Sequence, residues 1–284
     1  MISDAHFHLK QLLEVSPEQA DFIKENNFYG MCSCRTLEEV EFVENFIAKN
    51  PETVQKLKIS FGIHPQAPDE KELKTLEKLV FENRIAAVGE IGLDRFNEEF
   101  AKTFDLQKKL FVIQLEIAKK AGLPVILHIR KAIQEVFEQI QTLKELKKVI
   151  FHSFSGTAEE AGSILNHGVN ACFSFGNALL NGHKKAIETV RSLPAERILI
   201  ETDAPYQPKK GDPFSKLLDL VEIMDKINEI RGCDSSAFVS SLEPLSLTAA
   251  PLLQGSQDMK AGLGGSTEKQ SEGSMENQHD EGKQ

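Results

Sequence analysis

The sequence predicts a (β/α)8 barrel over residues 1–232, and three observations support this fold class. Eight short apolar runs alternate with longer segments that have helical spacing. Several of the runs, such as residues 125–127 and 198–200, are continuously apolar, which is typical of parallel strands covered on both faces. A length of about 250 residues is usual for such a barrel. A doubly wound sheet is the alternative, and it would place a ligand at one switch point between strands.

Each predicted strand is a short run of β-branched or other apolar residues that ends in polar residues. In chain order these runs are residues 2–6, 28–32, 58–64, 86–91, 124–128, 148–152, 170–175 and 198–201. In the helix predicted at Phe104–Ala121, apolar residues recur at spacings of four, three and four, which predicts one buried face, and Gly122 ends the helix. That face consists of Leu106, Leu110, Ile113 and Ile117. A second helix is predicted at residues 157–166, where Thr157 and Glu160 have the spacing of a capping box.

The composition indicates a soluble globular protein, since 40% of the 284 residues are hydrophobic and 27% are charged. No apolar run approaches the roughly 18 residues that would span a bilayer, and the N-terminus has no secretory signal. The four cysteines lack a zinc-site spacing and are expected to be reduced thiols. We therefore expect a cytoplasmic protein, or a nuclear one if its source is eukaryotic, with no membrane contact and no obligate protein partner.

The charge balance limits the classes of function. The formal net charge is −10, whereas a protein that coats DNA by electrostatic attraction is normally basic. An acidic enzyme is still compatible with a polyanionic substrate when divalent cations reverse the local field. About half of the charge lies in residues 233–284, which contain eight acidic and three basic residues. Because this segment is rich in Ser, Gly, Gln, Glu and Lys, we expect it to be a disordered tail.

Histidines and carboxylates follow several of the predicted strands. His6 and His8 are alternate residues at the end of the first strand, so both imidazoles can reach one ion; two unrelated polar residues are the alternative. Glu90 lies in an apolar strand between Gly89 and Gly92, where a lone carboxylate is costly. The glycines indicate that another group approaches the backbone closely, which favours a metal ligand over a buried salt bridge.

The same pattern recurs at three later strands. His128 and His152 each follow an apolar run, and Asp203 follows the last run. Taken singly, each histidine could be structural, and Asp203 could belong to a turn. Together the strand ends supply six ligands of mixed nitrogen and oxygen type, which predicts a cluster of divalent ions. Two ions bridged by Glu90 would suit in-line attack on a phosphoester.

Six motifs occur in the order found in one enzyme family. They are DAHFHL at residues 4–9, GIHP at 62–65, GEIGLD at 89–94, LPVILHIR at 123–130, FHSFSG at 151–156 and ETDAPY at 201–206. On these motifs the chain resembles the TatD family of metal-dependent deoxyribonucleases, within the amidohydrolase-like barrels. The resemblance covers residue 1 to about residue 232, and six motifs in order are far more specific than any one alone.

The resemblance implies a barrel with a divalent-metal site that hydrolyses DNA phosphodiesters, often as a 3′→5′ exonuclease. The mixed ligands allow two ions of Mg²⁺, Mn²⁺ or Zn²⁺. The residues on the family's metal-site positions are His6, His8, Glu90, His128, His152 and Asp203. Glu90 and Asp203 are the implied catalytic residues: Glu90 bridges the ions, and Asp203 orients the attacking water or accepts its proton. Arg130 and His64 fall near substrate contacts. A salt bridge at the rim and a strand cap before Pro65 are the respective alternatives.

The chain departs from the family pattern at the barrel rim and in its C-terminal segment. Arg95 and Phe96 stand where the family usually has an aromatic residue first, and Ile129 replaces a small polar residue. The family's last helix is not recognisable in the C-terminal segment. We therefore expect lower stability than in a full-length relative, unless residues 242–253 cover the junction of the first and last strands.

Two other functions are compatible with the sequence. A metal-dependent amide or ester hydrolase could use the same barrel, because a fold does not determine the chemistry. A catalytically impaired isoform could result from the altered C-terminal segment, although all six ligands are retained.

Overall fold

The computed structural model, which describes residues 2–53 and 56–232, forms an eight-stranded parallel barrel. In chain order the strands are β1 (Ile2–Phe7), β2 (Phe28–Cys34), β3 (Leu57–Phe61), β4 (Ala87–Asp94), β5 (Val125–Arg130), β6 (Val149–His152), β7 (Ala171–Phe175) and β8 (Ile198–Ile200). Each strand from β1 to β7 pairs in parallel with the next along the chain. The predicted (β/α)8 barrel and its eight strands are confirmed, with small shifts at the strand ends. The predicted tail, residues 233–284, lies outside the described residues.

Helices connect the strands and surround the barrel. They are α1 (Leu9–Val15), α2 (Gln19–Glu25), α3 (Leu37–Lys49), α4 (Leu73–Phe81), α5 (Glu98–Lys102), α6 (Phe104–Ala121), α7 (Ile133–Glu138), α8 (Ile140–Glu145), α9 (Ala158–Asn166), α10 (Lys184–Ser192) and α11 (Asp219–Arg231). The predicted capping box opens α9: the Glu160 N–H donates to Thr157 Oγ1 over 3.2 Å, and the Thr157 N–H donates to Glu160 Oε2 over 2.7 Å.

The interior of the barrel is filled by a layer of side chains from seven of the strands. This layer consists of Ala5, Met31, Ala87, Ile126, Ile150, Cys172 and Leu199. Because side chains alternate along a strand, residues two positions further on face the same interior. His128, His152 and Glu201 stand two positions beyond members of the layer. They are therefore directed into the barrel near its carboxyl-terminal mouth.

The barrel closes between β8 and β1, just beyond the end of β8. The Asp203 N–H donates to the carbonyl of His6 over 2.9 Å, and the His8 N–H donates to the carbonyl of Ala204 over 2.8 Å. Helix α11 packs against both strands, and Ile198 is buried. Helix α11 thus packs over the junction of the first and last strands, which was expected to be exposed unless residues 242–253 cover it; those residues lie outside the described ones.

A buried carboxylate fastens the same junction. Asp4 accepts hydrogen bonds from the N–H and the hydroxyl of Thr202, at 3.1 and 2.6 Å, and from the N–H of His6 at 3.0 Å. Desolvation raises the pKa of Asp4 to about 8, although each of these bonds favours the ionised form. The bonds hold the segment after β8 against β1, so the histidines of β1 meet Asp203 at a fixed separation.

Helix α6 has the predicted bounds but a different buried face. It ends at Gly122, which has the left-handed conformation expected of a helix C-cap, with φ 63°. Its buried residues are Gln107, Leu110, Phe111, Gln114, Leu115 and Ala118. The predicted face is correct only at Leu110, because Leu106, Ile113 and Ile117 are half-buried. The helix is rotated so that two glutamines face the barrel.

Two expectations from composition can be checked on the described residues. Within residues 2–53 and 56–232, no helix has the length and apolar character of a membrane span. Cys32, Cys34 and Cys172 are buried free thiols, as expected, while Cys233 lies outside these ranges. Burial raises the pKa of the Cys32 and Cys34 thiols well above their usual range, so these two groups are chemically inert near neutral pH.

Candidate metal centre

Side chains from the end of β1 and the residue after it, from the middle of β4, from the end of β6 and from the turn after β8 meet at the mouth of the barrel. His6 Nε2 lies 3.0 Å from Glu90 Oε1, and His152 Nε2 lies 3.6 Å from the same oxygen. His8 Nε2 lies 3.3 Å from Asp203 Oδ1. Each of these five side chains is at most 10% exposed, so their charges interact with little screening by water.

Three overlapping groups of side chains have donor atoms that lie within 4.8 Å of one another and could share a cation. The groups are His6–His8–Asp203, His6–Glu90–His152 and His64–Glu90–His128. The structure thus brings all six residues predicted as ligands into one cluster. Glu90 belongs to two of the groups, as a carboxylate that bridges two ions would.

The histidines of β1 have ring nitrogens that no protein group satisfies. Within the described residues, both nitrogens of His6 and the Nδ1 of His8 are buried without a hydrogen bond, although His6 Nε2 approaches Glu90. A buried polar atom without a partner costs about 1–3 kcal/mol, and native proteins contain few of them. Imidazole nitrogens and carboxylate oxygens together suit divalent transition ions, so these residues fit a metal.

Two further carboxylates orient the other histidines of the cluster. Asp94 Oδ2 lies 3.0 Å from His128 Nε2, and Glu201 Oε2 lies 3.0 Å from His152 Nδ1. An ionised carboxylate only accepts hydrogen bonds, so each contact places a ring proton on the contacted nitrogen and leaves the opposite nitrogen as the one that could bind a cation. Asp94 and Glu201 were not predicted as site residues from the sequence. Their signal is an acid at the end of an apolar run.

Other groups in turn hold Glu201. The N–H of Ser153 donates to Glu201 Oε1 over 2.8 Å, and the hydroxyl of Ser174 donates to Glu201 Oε2. Glu201 is only 1% exposed. The carboxylate therefore has a fixed orientation, and its hydrogen bond with Nδ1 orients the imidazole of His152.

The rings of His6 and His152 are stacked with centroids 3.8 Å apart, but their pKa values are shifted in opposite directions. Burial lowers the pKa of His6, and the neighbouring charge of His152 lowers it further. Burial also acts to lower the pKa of His152, but the surrounding carboxylates, with Glu201 first, outweigh it and raise this pKa to about 10. His152 is therefore protonated on both ring nitrogens at neutral pH. A cation that binds its Nε2 must displace the proton there.

The two central carboxylates are ionised in spite of their burial. Desolvation opposes the ionisation of Glu90, but the adjacent histidines hold its pKa well below the usual range. For Asp203, desolvation is outweighed by the charge of His152 and by a hydrogen bond from His8, and its pKa falls to about 2. The centre therefore offers two negative charges to cations at neutral pH.

The glycines beside Glu90 are required by the neighbouring strand. A Cβ atom on Gly89 would lie 2.5 Å from the Cβ of Ile126, and one on Gly92 would lie 2.0 Å from the carbonyl oxygen of His128. Both contacts are with β5, which pairs with β4 in a register that shifts at this point. The close approach expected from the sequence is therefore that of a strand, and it sets Glu90 beside His128.

Two glutamines of α6 fix the loops of the centre. Gln114 Oε1 accepts the N–H of Ile63 over 2.7 Å, and Gln114 Nε2 donates to the carbonyl of Ile63 over 3.3 Å. Gln107 Oε1 accepts the N–H of Asp94 over 2.8 Å. The glutamines are seven residues apart and so lie on the same helix face. Through these bonds α6 holds the residue before His64 and the carboxylate that orients His128.

His64, which the sequence places in a strand, lies in the loop after β3, because that strand ends at Phe61. His64 Nδ1 accepts the N–H of Gln66 over 3.1 Å, so its proton lies on Nε2. His64 Nε2 lies 3.2 Å from Glu90 Oε2. This tautomer makes His64 a hydrogen-bond donor towards Glu90, and a cation held by the group His64–Glu90–His128 would have to displace that proton.

A cavity of about 730 Å³ opens above the cluster, and basic residues line its rim. The basic residues are Arg35, Arg130, Lys184 and Lys185, while the only acids that line this cavity within the described residues are Glu90 and Asp203. The guanidinium of Arg130 lies 3.9 Å from the ring centroid of Phe96. The structure thus places Arg130 on the rim, stacked on an aromatic ring.

Comparison with known proteins identifies the family. The model of the TatD-related DNases matches residues 3–243. The chain belongs to the TatD family. Members of this family are named as nucleases and as metal-dependent hydrolases, and the chain is accordingly a hydrolase that acts on ester bonds.

The similarity extends over most of the TatD relatives. The chain is 31% identical over 185 residues to the 3′-5′ ssDNA/RNA exonuclease TatD of Escherichia coli K12, covering 62% of this chain and 70% of the relative. It is 32% identical over 217 residues to an uncharacterised metal-dependent hydrolase of Mycoplasma genitalium, covering 72% and 80%. The crystal structure of YJJV, a TatD homologue from Escherichia coli K12, superposes with a TM-score of 0.69 at 23% identity, covering 87% of this chain and 94% of that one. This last likeness supports the fold.

Proposed function

We propose that this TatD-family chain is a nuclease that cleaves phosphodiester bonds of DNA with two divalent ions, Mg²⁺, Mn²⁺ or Zn²⁺, and removes nucleotides from the 3′ end. The observation that carries the proposal is the charge of the cavity. Four basic and two acidic residues line it, in a chain whose net charge is −10. This local reversal favours an anionic ester over the neutral amide or ester of the alternative function. The direction of cleavage is taken from the name of the E. coli relative.

The proposed ligands are the six predicted residues, of which Glu90 could be shared by two ions. These residues are His6, His8, Glu90, His128, His152 and Asp203. When bound, two such ions act as Lewis acids and lower the pKa of a coordinated water. Asp203, with a pKa of about 2, is a weak base at neutral pH, so its proposed role is to orient that water by accepting its hydrogen bond.

Arg130 and His64 are the proposed contacts with the scissile phosphate. Arg130 presents a planar guanidinium, held by Phe96, that can donate two hydrogen bonds to a phosphate. His64 presents its Nε2–H from inside the cluster. The two donors approach from the rim and from the floor of the cavity, so they can hold different oxygens of one phosphate.

The proposal is tested with single-stranded DNA labelled at the 5′ or at the 3′ end, with Mn²⁺ or EDTA. We expect a ladder of shortened products from the 5′-labelled strand, release of the labelled terminal nucleotide from the 3′-labelled strand, and no cleavage in EDTA. Asp203→Asn should lower kcat, while Asp225→Asn, on the outer helix α11, should leave it unchanged. Full activity in EDTA, or hydrolysis of an aryl ester or an anilide but not of DNA, would contradict the proposal.

A further inference from the structure

Two aromatic rings remain exposed on opposite sides of the mouth. Phe96 is 48% exposed and follows β4, while Tyr206 is 41% exposed and follows β8. The strands form a ring in chain order, closed by the hydrogen bonds between the end of β8 and β1. In a ring of eight, β4 and β8 are four positions apart in either direction. Phe96 and Tyr206 therefore follow strands on opposite sides of the barrel mouth.

Both rings are held in place by polar contacts of their backbones. The N–H of Phe96 donates to Asp94 Oδ1 over 2.7 Å, and its carbonyl accepts Lys131 Nζ over 3.1 Å. The N–H of Tyr206 donates to the carbonyl of Asp203 over 2.7 Å, and its carbonyl accepts the hydroxyl of Ser215. Because these backbones are already fixed, little backbone entropy is lost when a flat ligand stacks on the rings.

Each ring contacts a residue at or beside the metal centre. Phe96 supports the guanidinium of Arg130, which lines the cavity. The ring of Tyr206 lines the cavity itself and meets the imidazole of His8 edge-to-face, with centroids 5.0 Å apart. A planar group bound on Tyr206 would thus lie beside His8, and one bound on Phe96 would lie beside Arg130, which lines the same cavity.

Exposed aromatic rings beside cations are the elements with which proteins bind unpaired nucleotides, because every base has a π-face and every linkage an anion. We propose that Tyr206 and the stack of Phe96 on Arg130 are two base-binding platforms, which hold the nucleotides on the two sides of the scissile phosphate. The inference rests on the proposed nuclease function and deepens it. The enzyme binds the bases of an unpaired strand on both sides of the bond that it cleaves.

The test combines ring-removing variants with substrates that lack a base. Phe96→Leu and Tyr206→Leu are assayed for kcat/KM on a single-stranded oligonucleotide with the metal-loaded enzyme. Phe81→Leu is the matched control, because Phe81 is 75% exposed at the end of α4, the helix that leads to the start of β4 and so lies away from the mouth. Each substrate is also made with an abasic site on one side or the other of the cleaved bond.

We expect each platform variant to lose on the order of 10- to 100-fold in kcat/KM, and the Phe81→Leu control to lose none. An abasic site at the matching position should cost the wild type a similar factor and cost the platform variant no further factor, because the lost stacking cannot be lost twice. Variants that cleave like the wild type, or that lose the same factor on intact and abasic strands, would overturn the inference. A wild type that cleaves no nucleic acid would instead overturn the proposed function.

Discussion

At the level of single residues, the carboxylates behind the histidines are as informative as the ligands themselves. Glu201 has no direct access to the cavity, but its charge and hydrogen bond determine both the tautomer and the pKa of His152. Removal of such a partner typically weakens metal binding by about 10- to 100-fold. Glu201 is therefore a positioning residue for the centre.

We expect Glu201→Gln to weaken binding of Mn²⁺ by about 10- to 100-fold and to lower the pKa of His152, since the leading charge that raises it is gone. Calorimetric titration measures the first effect and NMR titration of the imidazole the second. Glu188→Gln, at an exposed position on α10, is the control. An unchanged pKa of His152 would show that Glu201 does not act through this histidine.

Asp94 predicts a dependence of stability on pH. Burial opposes its ionisation, but hydrogen bonds from His128, Gln66 and the N–H of Phe96 lower its pKa from 3.8 to about 2. The ionised group therefore stabilises the folded state above the ordinary pKa, by about 2 kcal/mol, and this contribution is lost as the pH falls through about 2.

Urea unfolding in EDTA at pH 6 and pH 3 measures this contribution. We expect Asp94→Asn to be less stable than the wild type at pH 6 and to lose about 1 kcal/mol less between pH 6 and pH 3. Parallel losses in the two proteins would show that Asp94 is not the titrating group.

The sequence predicts the six clustered residues because each stands at the end of an apolar run, and parallel strands end at one mouth. The roles of Asp94 and Glu201 could not be predicted in the same way. Their partners lie 34 and 49 residues away in the chain, so the pairs exist only once β4 and β5, or β6 and β8, are adjacent.

At the level of elements, α6 shows where periodicity succeeds and where it fails. Its bounds follow from the length of the pattern and from Gly122. Its buried face differs from the predicted one, because a pattern of apolar residues leaves out Gln107 and Gln114, which are each 1% exposed. A glutamine is buried here because a loop of the barrel supplies its hydrogen-bond partners, and this cannot be read from the helix alone.

We expect Gln114→Met to lower the free energy of unfolding by about 2 kcal/mol, since it leaves the N–H and carbonyl of Ile63 buried without partners. The loosened loop carries His64, so KM should rise as well. Gln139→Met, between α7 and α8, is the control, measured by urea unfolding and steady-state kinetics. A variant with normal stability and a normal KM would refute the role given to α6.

At the level of the whole molecule, an acidic chain places four of its basic residues around the cavity that an anionic substrate would enter. Lys184 and Lys185 are exposed at the start of α10 and line the cavity. Each contact between a lysine and a phosphate adds about one unit to the slope of log K against log salt.

We expect the double variant K184A/K185A to bind single-stranded DNA more weakly at low salt and with a shallower salt dependence, by about one to two units. The KM of cleavage, measured between 50 and about 200 mM salt, shows this. Lys120→Ala is the control, because Lys120 is exposed at the C-terminal end of α6 and does not line the cavity; this variant should leave the slope unchanged. A slope that is unaffected by the double variant would exclude these lysines as phosphate contacts.

The barrel was predictable as a whole because its repeated pattern spans more than 200 residues, whereas the closure beside β1 was not. The closure depends on the bonds from Asp4 to Thr202, two residues that are 198 positions apart. Apart from the local N–H of His6, the partners of this buried aspartate come from Thr202 and are absent until the last strand is in place.

The central claim is that the cluster around Glu90 is a divalent-metal site. It is tested most directly by titrating EDTA-treated, dialysed protein with Mn²⁺ in a calorimeter, at one pH in buffers of different ionisation enthalpy. Two ions per chain, with release of a proton from His152, are predicted for the wild type, and loss of at least one ion is predicted for Glu90→Gln. Absence of saturable binding, or equal binding by Glu90→Gln, would contradict the claim.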